Sequence, residues 1–479
     1  MSDFPKSGLV AVVKRDCPTC VLVAPVLAQL AAGGDLTIYS QDDPTFPEAV
    51  DGVRDDRDLD ASYDLGIEIV PTLIRFGGQG EADRTYGWDK AAWQALAGIA
   101  DLGADLPAMR PGCGALNQDP ARLTALRIRR GDTGIAARRI TVGEEEDPIE
   151  ACYARGWSDG LPVVPPTEAK VYEMLQGTSR SPDEVLGLVP SDYAPCTIEK
   201  VAVNAVMAGC LPEYLPVVIT AMEAVLDEQF LLHGVLASTR FVSPVLIVNG
   251  PIARQIGMNA KGNALGQGNR ANSTIGRAVQ LAIRNIGGGR PGGIDRATLG
   301  NPGKHTYCFA EDEEGSAFTP LTADRGFAAG TNTVTAFAGY GLQGIVDDKA
   351  RTPEDIAAVF STSLRAVDNI NKFPAPDAVL VVCPEHERTL TEGGWDKARL
   401  HAALMERLTV PVDSVLPGTN GIQEGANPKR SGQMISKFPP EGLLIVRAGG
   451  GAGKFSGIIA GFTASGKNSC NPVTKEITL

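Results

Sequence analysis

The chain has 479 residues, enough for about three domains, and its 43% hydrophobic and 21% charged residues are typical of a globular protein. Its net charge of −13 disfavours nucleic acid and anionic membrane surfaces as partners, because both are polyanions. No apolar run is long enough to span a bilayer, and the first residues lack the pattern of a signal peptide. We therefore expect a cytoplasmic protein without nucleic-acid or membrane partners.

Hydrophobic periodicity in the first hundred residues predicts alternating strands and helices. The apolar run 8–13 predicts a buried strand, and apolar residues at helical spacing over 22–30 predict a helix after Cys20. The remaining pattern predicts strands at 36–39, 73–76 and 84–86 and helices at 56–65 and 88–97. The predicted order is therefore β-α-β-α-β-β-α.

Two motifs lie at fixed places in this order. Asp16-Cys17-Pro18-Thr19-Cys20 follows the first strand, and Val70-Pro71-Thr72 precedes the third. Over residues 7–100 the chain thus resembles the thioredoxin family, although no Trp precedes Cys17 and the inner dipeptide is Pro-Thr. The resemblance implies that Pro71 is cis and lies beside the cysteine pair, where its neighbouring backbone pairs with a substrate chain. The departures leave the redox potential and the choice of partner open.

The position of the cysteine pair predicts its chemistry. A helix N-terminus stabilises a thiolate, so Cys17 is the expected attacking thiol, and Cys20, one turn later, would resolve the mixed disulfide. Three alternatives stay open: half of a zinc site, a docking module without redox activity, and two packed thiols. No second Cys pair lies nearby to complete a zinc site. We expect the nine cysteines to be reduced, because an odd number in a long chain argues against a disulfide framework.

The segment between the two main regions is rich in Pro, Gly and Arg. We assign residues 1–103 to the thioredoxin-like domain and residues 104–146 to a linker and basic segment. Cys113 lies in this linker and is interpreted as incidental, with electron relay as the alternative. The six arginines between 122 and 139 predict a solvated or interdomain face, with an anion site as the alternative.

Residues 147–479 are expected to form one large α/β region with a parallel or mixed sheet, in one or two lobes. Apolar runs at 244–248, 378–382 and 442–446 are each followed by a turn. Because ligands bind beyond the carboxyl ends of such strands, the candidate site residues are Asn249, Cys383, Glu385, His386 and the 449–453 loop.

A segment rich in Gly and Asn, residues 257–277, predicts a loop that wraps a small polar or anionic substrate. The 448–456 stretch departs from a phosphate-binding loop at Ala448 and Phe455, which argues against a nucleotide hydrolase but leaves anion binding open. The expected substrate-binding residues are Asn249, Asn259, Lys261, Arg270, Asn272, Arg277 and Lys454.

Two further cysteines are candidates for a reactive thiol in the large region. Cys196 begins a predicted helix and is our first choice, with inert packing as the alternative. Cys308 lies near His305 in the sequence, and Glu311 follows at the same spacing. On a helix these three side chains would share one face and bind a divalent metal. On a strand they would not share a face.

From residue 151 onwards the chain resembles a family of bacterial proteins of unassigned function, carried by stretches such as GWSDGLPVVPPT, CTIEKVAVNAVMAGC and VVCPEHERTLTEGGW. Some members look associated with UGSC-type thiol or selenol proteins. The resemblance implies sulfur or selenium redox chemistry and assigns no substrate or catalytic residue.

The sequence therefore predicts a thiol-disulfide oxidoreductase module fused to an α/β enzyme region with thiol-dependent turnover. Its partners would be a small substrate and a thiol or disulfide, internal or on another protein, and a homo-oligomer is compatible with the sequence. The sequence identifies no definite cofactor, and a divalent metal is compatible with it. One alternative is a metal-dependent lyase or hydrolase, centred on His305, Cys308 and Glu311 or on Cys383, Glu385 and His386, with the thioredoxin-like part used for docking. Another is a carrier or chaperone of metal or sulfur.

Overall fold

The computed structural model describes residues 4–78, 80–417 and 425–478. The chain divides into two compact units, Met1–Gly134 and Ile135–Leu479. Within the described ranges, no helix combines the length and the apolar character needed to cross a lipid bilayer.

The first unit has an α/β fold, which confirms the predicted fold class. Its sheet has the order β3-β2-β1-β5-β6, with β1 parallel to β2 and antiparallel to β5. Its strands are β1 (Gly8–Val13), β2 (Leu36–Ser40), β3 (Arg54–Asp55), β4 (Ile69–Val70), β5 (Thr72–Gly77), β6 (Gly80–Tyr86), β7 (Trp88–Asp89), β8 (Met109–Arg110) and β9 (Cys113–Gly114). Its helices are α1 (Pro18–Ala31), α2 (Asp60–Asp64), α3 (Lys90–Ala97) and α4 (Pro120–Arg130).

The first helix begins at the predicted corner because its first residues suit a helix N-terminus. Cys17 is the N-cap residue and its sulfur accepts a hydrogen bond from Cys20 N, while Pro18 occupies the first helical turn, where a missing N–H costs nothing. Strand β1 is buried along its whole length, as its continuous apolar run predicts.

The first unit extends beyond residue 103, because the following segment folds back onto it. Strand β8 pairs with β7, and β9 pairs with β4. Helix α4 lies against the acidic helix α2, and Arg129 and Arg130 form ion pairs with Asp60 and Asp64. These two arginines of the predicted basic face therefore neutralise acidic residues of the same unit.

The second unit contains a seven-stranded mixed sheet covered by helices, again as the predicted fold class requires. Its helices are α5 (Pro148–Ala154), α6 (Glu168–Leu175), α7 (Ile198–Ala208), α8 (Leu215–Leu226), α9 (Leu232–Ala237), α10 (Pro251–Gln255), α11 (Arg270–Gly287), α12 (Leu321–Asp324), α13 (Pro353–Arg365), α14 (Pro384–Glu392) and α15 (Lys397–Arg407). Its strands are β10 (Val185–Val189), β11 (Ala194–Thr197), β12 (Ser243–Asn249), β13 (Cys308–Ala310), β14 (Thr333–Val346), β15 (Ala378–Val382), β16 (Thr409–Pro411), β17 (Met434–Ser436), β18 (Leu443–Arg447), β19 (Phe455–Gly461) and β20 (Val473–Glu476).

The sheet of the second unit curls until its two edge strands meet. Its order is β13-β12-β14-β19-β15-β18, with β20 beside β14, and the long strand β14 shifts register between Gly339 and Leu342. A backbone hydrogen bond of 2.8 Å from Asp312 N to Arg447 O joins the chain after β13 to the end of β18. The curl thus brings the carboxyl ends of β13 and β18 together.

Side chains of the sheet alternate between an inner core and two helical layers, as the two-residue period of a strand dictates. On β12, Val245 and Ile247 face the inner core, whereas Leu246 and Val248 pack with the core that includes α7, α8 and α11. On β15, the odd-numbered valines also face inwards, and the even-numbered residues pack against α13, α14 and α15.

Candidate functional site

The cysteine pair of the first unit lies at the junction of β1, α1 and β4. Cys17 caps α1, and its sulfur accepts from Cys20 N at 3.4 Å and donates to Val70 O at 3.5 Å. The Val70–Pro71 peptide is cis, as the resemblance implies. Both cysteine side chains are buried, with 1% of Cys17 and none of Cys20 exposed. The site therefore gathers two thiols, a helix N-terminus and a strand edge.

The surroundings of the two thiols move their pKa values in opposite directions. The hydrogen bond from the Cys20 side chain, assisted by hydrogen bonds from Cys113 and from the N–H groups of Cys20 and Thr19, outweighs burial and lowers the pKa of Cys17 to about 5. Burial and the hydrogen bond to Cys17 raise the pKa of Cys20 far above its usual range. This arrangement supplies one thiolate and one protonated thiol at neutral pH, which supports the assignment of attacking and resolving roles.

A third thiol, Cys113, lies at the same site. Strand β9 pairs antiparallel with β4 so that Cys113 lies opposite Val70, and the Cys113 side chain is within hydrogen-bond reach of Cys17. Burial and the neighbouring Cys17 raise the pKa of Cys113. The sequence analysis interpreted this residue as an incidental linker cysteine. Its flanking glycines were the available signal, since they permit close approach of two backbones.

The second unit has a cavity of about 500 Å³ beyond the carboxyl ends of β12 and β13. The Gly- and Asn-rich loop forms one wall through residues 257–261, and the acidic stretch 310–314 forms another. Sequence analysis expected the loop to face a polar or anionic ligand. The fold places four carboxylates of residues 311–314 opposite it, with Arg254 and Lys261 as the cationic lining residues.

Asn249 joins the end of β12 to this acidic wall. Its Nδ2 donates to Glu311 at 2.6 Å and to Glu313 at 2.8 Å, and Gly250 N donates to Glu313 at 2.6 Å. Burial raises the pKa of Glu311, although a hydrogen bond from Leu321 N favours its ionised form. The Oδ1 atom of Asn249 is buried without a hydrogen-bond partner. Asn249 is thus a positioning residue for the cavity wall.

A buried ion-pair cluster supports the same wall from behind. Arg447, at the end of β18, pairs with Asp312 and lies 3.0 Å from a Glu387 oxygen of α14. The second oxygen of Glu387 accepts from Ala317 N and Ser316 Oγ, both at 2.7 Å. Because all three charged side chains are nearly inaccessible, one arginine compensates two buried carboxylates.

The structure places the other predicted substrate-binding residues in different environments. Asn259 and Lys261 line the cavity, and Asn272 braces the loop by donating to Asn259 O at 2.8 Å and Ala264 O at 3.1 Å. The remaining three basic side chains have partners of their own, namely Gly209 O for Arg270, Asp159 for Arg277 and Ala350 O for Lys454. The structure therefore does not bring those three to the cavity.

The two thiols predicted as reactive in the large region lie in apolar packing. Thr197 caps α7, so Cys196 lies in β11 rather than at the helix N-terminus, and burial raises its pKa to about 12. Cys308 lies in β13, where burial raises its pKa well above the usual range. Neither environment favours a thiolate.

The predicted metal-binding set His305, Cys308 and Glu311 is not assembled. His305 is half exposed near Asp159, Cys308 is buried in the core, and Glu311 binds Asn249 and Leu321 N. Across residues 4–78, 80–417 and 425–478, no group of three or more His, Cys, Asp or Glu side chains is placed to hold a metal ion.

A different thiol of the second unit has a basic partner. Cys383 follows β15 and is the N-cap residue of α14, and its thiol is within hydrogen-bond reach of His386. Ser456 Oγ lies 2.8 Å from His386 Nδ1 and accepts from Cys383 N at 3.0 Å. Burial opposes ionisation of Cys383, but the His386 and Ser456 side chains lower its pKa. Burial also opposes the charge on His386, whose pKa is raised by the hydrogen bond and charge of Cys383.

Comparison with known proteins adds little to this geometry. No protein-family model matches the chain, and no curated protein matches it. Among solved structures, a thioredoxin of Malassezia sympodialis (Mala s 13) is similar to 19% of this chain and 73% of its own, at 20% identity and a TM-score of 0.15.

The lowered pKa of Cys17 predicts a thiolate that forms near pH 5. On raising the pH through this value, reduced protein should gain ultraviolet thiolate absorbance, because Cys17 loses its proton there. Cys17→Ser should lack this step, and Cys152→Ser should keep it, because burial raises the pKa of Cys152. A first thiolate step near the ordinary cysteine value of about 8.5 would contradict this assignment.

Removal of Arg447 should destabilise the second unit strongly. Arg447→Ala leaves Asp312 and Glu387 buried without their counter-ion, which should cost about 3–5 kcal/mol of the free energy of unfolding. Arg254→Ala is the matched control, because the exposed Arg254–Glu314 pair should contribute about 0–1 kcal/mol. Urea-dependent proteolysis, with peptides of residues 135–479 quantified by mass spectrometry, measures both. Equal effects of the two substitutions would refute the role of the buried cluster.

Proposed function

We propose that the first unit is a thiol-disulfide oxidoreductase in which Cys17 attacks and Cys20 resolves. The observation that carries the proposal is the opposite environment of two thiols one helical turn apart. Hydrogen bonds converge on the Cys17 sulfur and lower its pKa, whereas burial and the hydrogen bond to Cys17 raise the pKa of Cys20. A helix N-terminus that stabilises a thiolate is the arrangement that disulfide exchange requires.

The reaction balances as two successive exchanges. The Cys17 thiolate attacks one sulfur of a partner disulfide, forms a mixed disulfide and releases the other partner sulfur as a thiolate. Cys20 then gives up its proton and attacks the Cys17 sulfur, which releases the second partner thiol. The partner gains two electrons and the Cys17–Cys20 disulfide holds the oxidised state. A thiol reductant such as glutathione restores the dithiol for the next turnover.

Burial of Cys20 determines the order of the two disulfide exchanges. Ionisation of Cys20 is unfavourable while Cys17 carries the charge, because burial and the hydrogen bond to Cys17 both raise the pKa of Cys20. Once Cys17 is bound in a mixed disulfide, its negative charge is gone and Cys20 can ionise at lower cost. The same pair therefore favours attack first and resolution second.

For the second unit we propose a site for a small polar molecule in the cavity beside Asn249, and separately a reactive thiol at Cys383, which is not part of the cavity lining. The cavity is lined by carboxylate, amide and amine groups. Glu387 and His386 share helix α14, and Glu387 reaches the cavity wall through Arg447 and Asp312. We further propose that the first unit reduces a thiol-bound intermediate of this region after each turnover.

Loss of Cys17 should abolish disulfide exchange. With glutathione as reductant and a peptide disulfide as substrate, Cys17→Ser should lower the catalysed rate by at least about 100-fold, because the serine hydroxyl is not ionised at neutral pH. Cys152→Ser is the matched control and should keep the parent rate, since Cys152 is a buried thiol of the second unit. A Cys17→Ser variant that retains the parent rate would end the proposal.

The pairing of Cys383 with His386 can be tested by labelling. His386→Gln should slow the reaction of Cys383 with a small methanethiosulfonate at neutral pH by about tenfold, the effect of raising the thiol pKa by one unit. His401→Gln serves as the control, because burial, and not Cys383, is the main cause of the lowered pKa of His401. Mass spectrometry of tryptic peptides reports the labelled fraction. Equal rates in the two variants would show that His386 does not activate Cys383.

A further inference from the structure

We propose that Cys113 is a third redox-active cysteine, which exchanges disulfide bonds with Cys17. Cys113 lies in residues 111–115, which include β9 and are named here the covering segment. The proposal rests on the proposed function of the Cys17–Cys20 pair and adds an internal partner to it.

The covering segment occupies the strand edge beside the attacking cysteine. Cys113 lies opposite Val70 and Gly114 opposite Ile69 in an antiparallel pair. Ala115 N extends the pairing with a 3.0 Å hydrogen bond to Glu68 O. The thioredoxin resemblance places a substrate chain at this same edge. The chain's own segment thus takes the position expected of a bound partner.

Side chains around the cysteine pair hold the covering segment in place. Thr19, between the two cysteines, donates through Oγ1 to Pro111 O at 2.6 Å. Lys14, just before the motif, donates through Nζ to Gly114 O at 2.9 Å. The attachment therefore uses residues of the β1–α1 corner itself.

The close approach of the two backbones depends on Gly112. A Cβ atom at this position would lie 2.4 Å from Ile69 Cγ2 and 2.6 Å from Val70 O, which is too close for any side chain. At Gly114 a Cβ atom would meet nothing within 4 Å. The two glycines that flank Cys113 therefore differ in what they permit, and this difference supplies a matched pair of variants.

The covering segment also controls access to Cys17. Only 1% of the Cys17 side chain is exposed, and the Cys113 side chain lies within hydrogen-bond reach of its sulfur. An external disulfide must displace the segment before it meets Cys17. A thiol already at the site has a high effective concentration and competes with that partner.

Once Cys17 is in a disulfide, the exchange with Cys113 needs no external oxidant. The Cys113 thiolate attacks the Cys17 sulfur of the Cys17–Cys20 bond, a Cys17–Cys113 bond forms, and Cys20 leaves as a thiolate that takes up the proton lost by Cys113. The same attack on a mixed disulfide releases the partner as a thiol. Cys113 thus provides a second route of resolution beside Cys20.

Oxidation of the full-length Cys20→Ser variant with glutathione disulfide tests the proposal. The Cys17 thiolate should first take one glutathione and release the other, and Cys113 should then displace the bound one to give the Cys17–Cys113 disulfide. We expect the Cys17–glutathione adduct to rise at least about tenfold in Cys20→Ser/Cys113→Ser, where this displacement is absent. Cys20→Ser/Cys152→Ser should match Cys20→Ser. Peptide mass spectrometry under non-reducing conditions identifies each disulfide.

Backbone variants provide an independent test that keeps both remaining thiols of the site, Cys17 and Cys113. In the Cys20→Ser background, Gly112→Ala should displace the covering segment, so the glutathione adduct at Cys17 should accumulate and the Cys17–Cys113 disulfide should fall. Gly114→Ala should leave both unchanged, because its Cβ atom meets open space.

The outcomes separate the two proposals. If Cys17 takes up no glutathione in any variant, the proposed function of the cysteine pair fails. If Cys17 is glutathionylated to the same extent with and without Cys113, the pair is active and the role of Cys113 is refuted.

Discussion

Hydrogen bonding to one sulfur atom organises the first unit. Cys17 is at once the N-cap of α1, the acceptor for Cys20 N and the neighbour of Val70 O. A helix begins with unpaired N–H groups, and a sulfur that accepts one of them gains negative-charge stabilisation without a basic side chain. The hydrogen bond from the Cys20 side chain is the main cause of the lowered pKa of Cys17, and this N–H group adds to it, whereas burial is the main cause of the raised pKa of Cys20.

The covering segment occupies the strand edge beside Cys17, where a separate partner chain would otherwise pair. An open strand edge beside a reactive thiol would pair with any extended chain. Here the edge at Val70 is already paired, and the residue opposite it is another cysteine. The segment that covers Cys17 thus carries a thiol of its own, and the proposed exchange starts only when Cys17 is in a disulfide.

In the second unit, curling of the mixed sheet decides where charged residues meet. Strands β13 and β18 are at opposite edges of the sheet, and their carboxyl ends join through Asp312 and Arg447. The cavity wall, the buried ion pairs and helix α14 all depend on that contact. Buried charges of this kind are costly without partners, so the cluster constrains the local geometry more than it adds to stability.

The amino-acid sequence by itself determined the local elements of the first unit and the positions of its two motifs. The apolar run over β1, the helix after Cys17 and the Val70-Pro71-Thr72 motif all depend on neighbours in sequence. Local spacing also identified a mixed α/β second unit and two of the loop residues that line the cavity, Asn259 and Lys261.

Only the tertiary structure decided which distant residues share a site. Cys113 is 96 positions from Cys17 in the sequence, and no periodicity relates the two residues. They are close in space because β9 pairs with β4. Cys196 and Cys308 looked reactive in sequence, yet burial removes the charge stabilisation that reactivity needs. Burial and long-range pairing are properties of the whole packed chain, and for that reason local sequence patterns do not encode them.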